Sequence, residues 1–199
     1  MSLFLETIQL RDGEFCRLGF HQARMNDAFS DIYPQAESIR LKECLHQQSY
    51  PKQGLYKCRV VYNSTIQLIE FVPYTPPVIS TLKIVETDIL SFPFKSADRK
   101  AFQNVFAQRA NCDDVLLVKD GLLTDTSYCN IALWNGENWI TPLQPLVYGV
   151  NRASLLNAGV LLEENISVNE IPNYSKIRLF NAMNEFGSIE MDISEAIIF

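Results

Sequence analysis

Lys95 closes an extended, proline-fixed segment, Phe92-Pro93-Phe94-Lys95-Ser96-Ala97-Asp98-Arg99, just ahead of a helical pattern. About one strand-helix-strand unit later, Gly121-Leu122-Leu123-Thr124-Asp125 sets a carboxylate on a hairpin. A lysine that attacks an aldehyde must shed its proton near neutral pH, and desolvation beside Phe92 and Phe94 favours that. A carboxylate against a pyridine nitrogen keeps the nitrogen protonated and lets the ring accept electrons. The two groups together could hold an aromatic aldehyde at its two ends. Each also has a plainer reading, Lys95 as a solvated surface lysine and Asp125 as a loop or capping residue.

Three further groups could bind anions. Gly149-Val150-Asn151 opens a helix whose first backbone N–H groups have no partner within the helix and suit a phosphate. Asn151 could equally be a simple N-cap. Arg24, in His21-Gln22-Ala23-Arg24, carries a guanidinium fork that matches phosphate, or is a solvated helix arginine. Arg59, in Tyr56-Lys57-Cys58-Arg59-Val60, could grip a substrate carboxylate with two hydrogen bonds, or form a structural ion pair.

The elements that must position these residues follow from periodicity and turn chemistry. Leu3 to Leu10 reads as a strand, Asp12-Gly13 as a tight turn and Phe15 to Leu18 as the returning strand. A helix is expected from about Phe20, with Met25, Phe29 and Ile32 at helical spacing and Pro34 as its stop. A second helix is expected over Ala36 to His46. Leu55 to Tyr62 and Thr65 to Val72 read as strands joined at Asn63-Ser64. Prolines at 73, 76 and 77 mark the boundary between a small N-terminal α/β lobe, 1–75, and a larger lobe, 76–199. The second lobe reads as a strand from Leu82 to Glu86 and a helix from Ala97 to Arg109, with Phe102, Val105 and Phe106 inward. Strands follow at Asp114 to Lys119 and Asn130 to Trp134, with Asn135-Gly136 as a hairpin turn to Trp139-Ile140-Thr141. A helix from Gly149 through Leu156 closes at Gly159, and Ile177 to Met183 is an apolar strand. Hairpins alternating with short helices argue for an α+β or mixed α/β fold.

Composition narrows the functional classes. The chain has 199 residues, 47% of them hydrophobic, enough for a substantial core. A net charge of −6 without a long basic patch disfavours nucleic acid and anionic membranes as partners. No apolar run approaches a membrane span, and the N-terminus has no signal-peptide pattern. The five cysteines have no C-x-x-C spacing, so they read as reduced thiols in a cytoplasmic protein and not as a zinc site. Phosphate-loop and nucleophile-elbow patterns are absent. Two histidines leave little for a His-based metal site or a catalytic triad.

Taken in order, the motifs resemble those of the class IV (fold-type IV) aminotransferases, which use pyridoxal 5'-phosphate (PLP) and include the aminodeoxychorismate lyases and the D-amino-acid and branched-chain aminotransferases. His21 and Arg24 match the family's H-x-x-R, whose arginine grips the PLP phosphate. Lys95, Asp98 and Arg99 match the segment whose lysine makes the covalent link to PLP. Gly121, Thr124, Asp125 and Asn130 match the run whose acid faces the pyridine nitrogen. Thr141-Pro142 matches the T-P segment that follows, and Gly149-Val150-Asn151-Arg152 the turn whose N–H groups bind phosphate. Asn181-Ala182-Met183 is more similar to the N-A-L of the aminodeoxychorismate lyases than to the threonine-bearing segment of the aminotransferases.

The resemblance implies two lobes with PLP in the cleft between them. It implies a homodimer acting at the α-carbon of a small amino substrate by transamination or by a lyase reaction. Lys95 would be the catalytic residue. Arg24, Lys95, Asp125, Asn130, Gly149, Val150, Asn151, Asn181 and Ala182 would bind the cofactor, and Arg59 the substrate. Three residues depart from the pattern: Asp125 replaces Glu, Asn151 replaces Thr, and Ala182 replaces a phosphate-contacting Thr of the aminotransferases. The chain also lacks the extra strand and the glycine-rich turn that usually precede Phe4, and its 62–75 region is short. A catalytically degenerate PLP-binding or non-catalytic dimeric relative is the alternative that this shortening motivates.

Overall fold

The computed structural model describes residues 3–89 and 94–198, so the Phe92 and Pro93 of the lysine segment lie outside the described residues. The described residues divide into two compact units. One holds 3–76 with 94–98, the other 77–89 with 99–198. The sequence reading places Lys95 after the proline boundary, with the second lobe. In the structure, its segment packs with the first unit instead.

In the first unit, β1 (Phe4–Arg11) runs antiparallel to β2 (Glu14–Phe15) on one edge and to β3 (Leu55–Tyr62) on the other, with β4 (Ile66–Pro73) beyond β3. Asp12 and Gly13 have φ of 49° and 85°, the doubly left-handed backbone that a two-residue hairpin turn needs. Phe4, Ile8, Cys58, Val60 and Tyr62 face the core. Against them lies α1 (Leu18–Ile32), which buries His21, Met25, Ala28 and Phe29, one stripe at helical spacing. The second helix, α2 (Leu41–His46), is shorter than its pattern suggests. Gln22 accounts for the late start: its side chain accepts from Leu41 N at 2.8 Å and donates to Ile39 O at 2.8 Å, which fixes the entry to the helix from outside.

In the second unit, β5 (Leu82–Glu86) and β6 (Asp114–Lys119) are parallel neighbours, joined through the α3 region (Lys100–Phe106) and a 3₁₀ turn, Ala107–Arg109. The helix pattern over 97–109 therefore resolves into one α-helix and one tighter turn. β7 (Leu122–Thr126) returns antiparallel through Asp120 and Gly121, φ 53° and 75°. β8 (Asn130–Trp134) pairs with β7 and with β9 (Trp139–Pro142). Asn135-Gly136 does turn the chain, but in a four-residue loop. The Asn135 side chain accepts from Glu137 N and Asn138 N, and its own N–H meets Asn138 O. After α4 (Val150–Asn157), β10 (Leu161–Glu164) lies parallel to β9. β11 (Lys176–Phe180) pairs with β8 and with β12 (Ile189–Asp192), and after α5 (Ile193–Ala196) the short β13 (Ile197–Ile198) lies beside β5. Leu116, Val118, Leu123, Ile131, Leu133, Ile177 and Leu179 form the centre of the core. The mixture of parallel and antiparallel pairs with flanking helices is the mixed α/β architecture that the sequence indicates.

Candidate active site

In the first unit, the lysine segment is stitched onto the N-terminal end of β1. Leu5 N donates to Lys95 O at 2.9 Å, Ala97 N to Leu3 O at 2.9 Å, and Ser96 bridges Phe4. Phe94 is buried edge-on against Phe4, with ring centroids 5.9 Å apart. Lys95 is half-buried, and its Nζ donates to Thr7 Oγ1 at 3.2 Å. A solvated surface lysine does not describe it. Thr7 is in register with Arg59 on β3, and Arg59 with Glu70 on β4, so Thr7, Arg59 and Glu70 form one row across the sheet. Arg59 Nη1 donates to Glu70 Oε1, so it has an ion-pair partner in place.

Arg24 is not a solvated helix arginine either. Its Nε donates to Glu6 Oε1 at 2.9 Å and its Nη2 to Glu6 Oε2 at 2.5 Å. His21 Nδ1, one helical turn earlier, meets the same Glu6 Oε2 at 2.6 Å. Glu6 is fully buried on the core side of β1. Burial alone would raise its carboxyl, but Arg24 and His21 outweigh burial and hold it down at about 2. An ionised carboxylate only accepts, so His21 carries its proton on Nδ1 and presents a bare lone pair at Nε2. Burial keeps His21 below the ordinary imidazole value despite the hydrogen bond to Glu6.

In the second unit, Asp125 on β7 is buried and held by three donors. Asn130 Nδ2 donates to Oδ1 at 2.6 Å, and Leu146 N and Val147 N donate to Oδ2 at 2.5 and 3.1 Å. Burial outweighs these donors and pushes its carboxyl up to about 6. Asn130 Nδ2 also donates to Val147 O at 2.8 Å, which ties the strand pair to the loop entering α4. Gly149, the N-cap of α4, packs so closely that a Cβ there would lie 2.0 Å from Asn130 Oδ1. Val150 and Asn151 form the first turn of the helix, so Asn151 is not its N-cap. Instead the Asn151 amide donates to Asn181 O at 2.8 Å and Asn184 O at 3.3 Å. Asn181 folds the 181–184 turn onto itself, its Oδ1 accepting from Met183 N and Asn184 N and its Nδ2 donating to Tyr128 O. Ala182 sits inside that turn.

Within each unit, several residues singled out in the sequence lie together. Lys95, Arg24 and Arg59 all attach to β1 or its neighbour β3. Asp125 and Asn130 form one hydrogen-bonded group with Leu146 and Val147, against which Gly149 packs ahead of Val150, and Asn151 and Asn181 form a second, with Ala182 inside its turn. Sequence reasoning misses Glu6 and Thr7. Strand parity carries a signal for Glu6, since Phe4, Glu6, Ile8 and Leu10 share one face and three of them are apolar. Thr7 becomes visible only through its contact with Lys95.

The donor chemistry fits PLP. A buried carboxylate, a half-buried amine, a paired arginine and the open N–H groups at the start of α4 are the groups that a pyridine nitrogen, an aldehyde and a phosphate require. The Asn151 side chain is committed to two carbonyls, so only its backbone N–H would remain for phosphate.

Comparison with known proteins agrees. Residues 96–190 match the family Amino-transferase class IV. An uncharacterized protein of Haemophilus influenzae (strain Rd) is 32% identical over 186 residues, covering 92% of this chain and 99% of its own. A crystal structure from Haemophilus somnus 129PT, provisionally named a 4-amino-4-deoxychorismate lyase, is 29% identical with a TM-score of 0.86, covering 93% of this chain and 98% of its own. The fold also matches an aminotransferase from Brucella abortus bound to PLP, at 18% identity and a TM-score of 0.73, covering 96% of this chain and 80% of its own. This chain spans nearly the whole length of both Haemophilus proteins and about four fifths of the Brucella chain. Lysine segment, buried acid, glycine-capped helix and fold converge, and the chain belongs to the class IV aminotransferases, a family of PLP-dependent enzymes.

Proposed function

We propose that the chain binds PLP through Lys95 and acts at the α-carbon of a small amino substrate in a lyase reaction of the aminodeoxychorismate type. Asp125 carries the reading most directly. A carboxylate fixed by three donors at the heart of a unit, at the position of the family's acid, is what a pyridine nitrogen needs opposite it. When bound, PLP supplies an electron sink for charge developing at the substrate Cα.

The chain's own residues do the rest. Lys95 Nζ would hold the cofactor at its aldehyde and, as a free amine, would move the proton at the substrate Cα. Thr7 Oγ1 orients that amine from the strand beneath it. Asp125 holds a proton on the pyridine nitrogen, and Asn130 locks the Asp125 carboxylate in place. Arg24 and the backbone N–H groups of Val150 and Asn151 grip the phosphate, which keeps the ring positioned through the exchange. Arg59, in the row that begins at Thr7, serves as the anchor for a substrate carboxylate, with Glu70 as the group it releases. The turn Asn181-Ala182-Met183 and the name of the H. somnus relative support the lyase outcome over transamination.

The proposal extends to a homodimer in the cytoplasm. None of the five cysteines is in a disulfide, and no described helix is long and apolar enough to cross a membrane. The family resemblance supports the dimer, and sedimentation at micromolar concentration measures it.

A spectral titration tests the function. With PLP added, the purified chain should gain a visible absorbance band that shifts with aminodeoxychorismate and releases 4-aminobenzoate and pyruvate. A panel of D- and L-amino acids without any shift would favour the lyase. A chain that takes up no PLP would point to the non-catalytic alternative.

A further inference from the structure

The buried Glu6–His21–Arg24 group does more than satisfy a charge. Glu6 is the acceptor for donors from two residues one turn apart on the same face of α1, at 2.5 to 2.9 Å. Glu6 is fully buried and the Arg24 side chain nearly so. A guanidinium gripped along its Nε and Nη2 edge cannot rotate about its last bonds without breaking two charge-assisted hydrogen bonds. Because His21 is neutral, the ionised Glu6 and Arg24 cancel, and the group brings no net charge to a ligand.

We propose that Glu6 is a positioning residue which fixes Arg24 for a phosphate monoester, so that this unit selects ligands bearing phosphate by oriented N–H donors and not by net positive charge. The inference rests on Arg24 binding the cofactor phosphate, as above. It makes a prediction opposite to that of simple electrostatics. If Glu6 only neutralised Arg24, removing its charge would leave a net cation and tighten phosphate binding. If Glu6 aims the guanidinium, removing its charge frees the fork to sample other geometries, and phosphate binding weakens.

Glu6→Gln keeps the shape and one acceptor oxygen and removes the charge. Glu6→Asp keeps the charge but withdraws it by one methylene. The measurement is the dissociation constant of the full-length chain for PLP and for pyridoxal, which shares the aldehyde and the ring but has no phosphate, followed by absorbance. The ratio of the two affinities isolates the phosphate, and a general loss of structure would weaken both ligands alike. The expected result is a fall in the PLP-to-pyridoxal preference of roughly tenfold in both Glu6 variants, with pyridoxal affinity nearly unchanged. In an Arg24→Ala background, Glu6→Gln should cause no further change in the preference, because the two residues act as one unit. An unchanged or increased preference in Glu6→Gln overturns the proposal, as does an equal loss for both ligands. If Arg24→Ala itself leaves the preference intact, the phosphate assignment of Arg24 fails and the positioning role of Glu6 fails with it. If Arg24→Ala abolishes the preference and the Glu6 variants do not change it, only the positioning role fails. If Glu6→Gln does not fold, Glu6→Asp alone decides, since electrostatics predicts no loss for a variant that keeps the charge.

Discussion

Asp125 is held by three donors and yet titrates high, because burial costs its charged form more than the donors return. Its carboxyl lies at about 6 in the folded chain against an ordinary value of 3.8. The folded state therefore binds the proton more tightly than the unfolded state. That contribution to stability, about 3 kcal/mol at most, is fully present below 3.8 and is lost as pH rises through 6. Urea titrations of the apo chain across that window should show stability falling with pH, and Asp125→Asn should flatten the slope. PLP binding should run the other way. A protonated Asp125 offers a pyridinium N–H only a neutral, weaker acceptor, so affinity should rise as pH passes through 6 in the natural chain and lose that rise in Asp125→Asn. Dissociation constants measured roughly one pH unit either side check both signs. At this scale the sequence was a partial guide. Lys95, Asp125 and Gly149 could be picked out because each sits at a motif with a chemical reason. Thr7, the partner of Lys95, and Leu146 and Val147, the partners of Asp125, belong to other elements, as does Glu6, the partner of Arg24, and only the fold shows which backbone N–H groups meet a given carboxylate.

Among the elements, α4 shows how tightly the second unit is built around its acid. Gly149 is required there by space, since its φ is −71° and any residue could adopt that backbone. A Cβ would press on Asn130 Oδ1 at 2.0 Å, and Asn130 is the residue that holds Asp125. Gly149→Ala should therefore cost about 1–3 kcal/mol in thermal or chemical denaturation and also weaken PLP binding by displacing the Asn130 amide. A loss of stability with unchanged cofactor affinity would separate the two. Asn151→Thr tests the neighbouring departure. Threonine restores the family's hydroxyl but gives up the amide donated to Asn181 O and Asn184 O, so stability should fall by about 1–2 kcal/mol. The strongly patterned elements were legible: β1, α1 and β3 follow from alternation or helical spacing, and β6 and β8 from short apolar runs bounded by turn signals. The start of α2 was not, because a glutamine from α1 sets it. Nor were β10, β12 and β13, strands of two to four residues that exist only because a neighbouring strand pairs with them.

For the whole molecule, motif order led to the family, while the return of the chain to the first unit at 94–98 escaped the sequence. Proline spacing places a boundary in the seventies, yet the chain comes back to the first unit at 94–98 to lay Lys95 against β1. That return depends on two backbone hydrogen bonds and on the burial of Phe94 against Phe4, contacts between residues some ninety positions apart that no local pattern announces. Its outcome is that Lys95, Arg24 and Arg59, the proposed reactive amine, phosphate arginine and substrate anchor, all attach to β1 or its neighbour β3. The most direct test of the account is to incubate the full-length chain with PLP, reduce with borohydride and map the modified residue by peptide mass spectrometry. A stoichiometric pyridoxyl label is expected on Lys95, absent from Lys95→Ala. A label on another lysine, or none on a chain that remains folded, would contradict it.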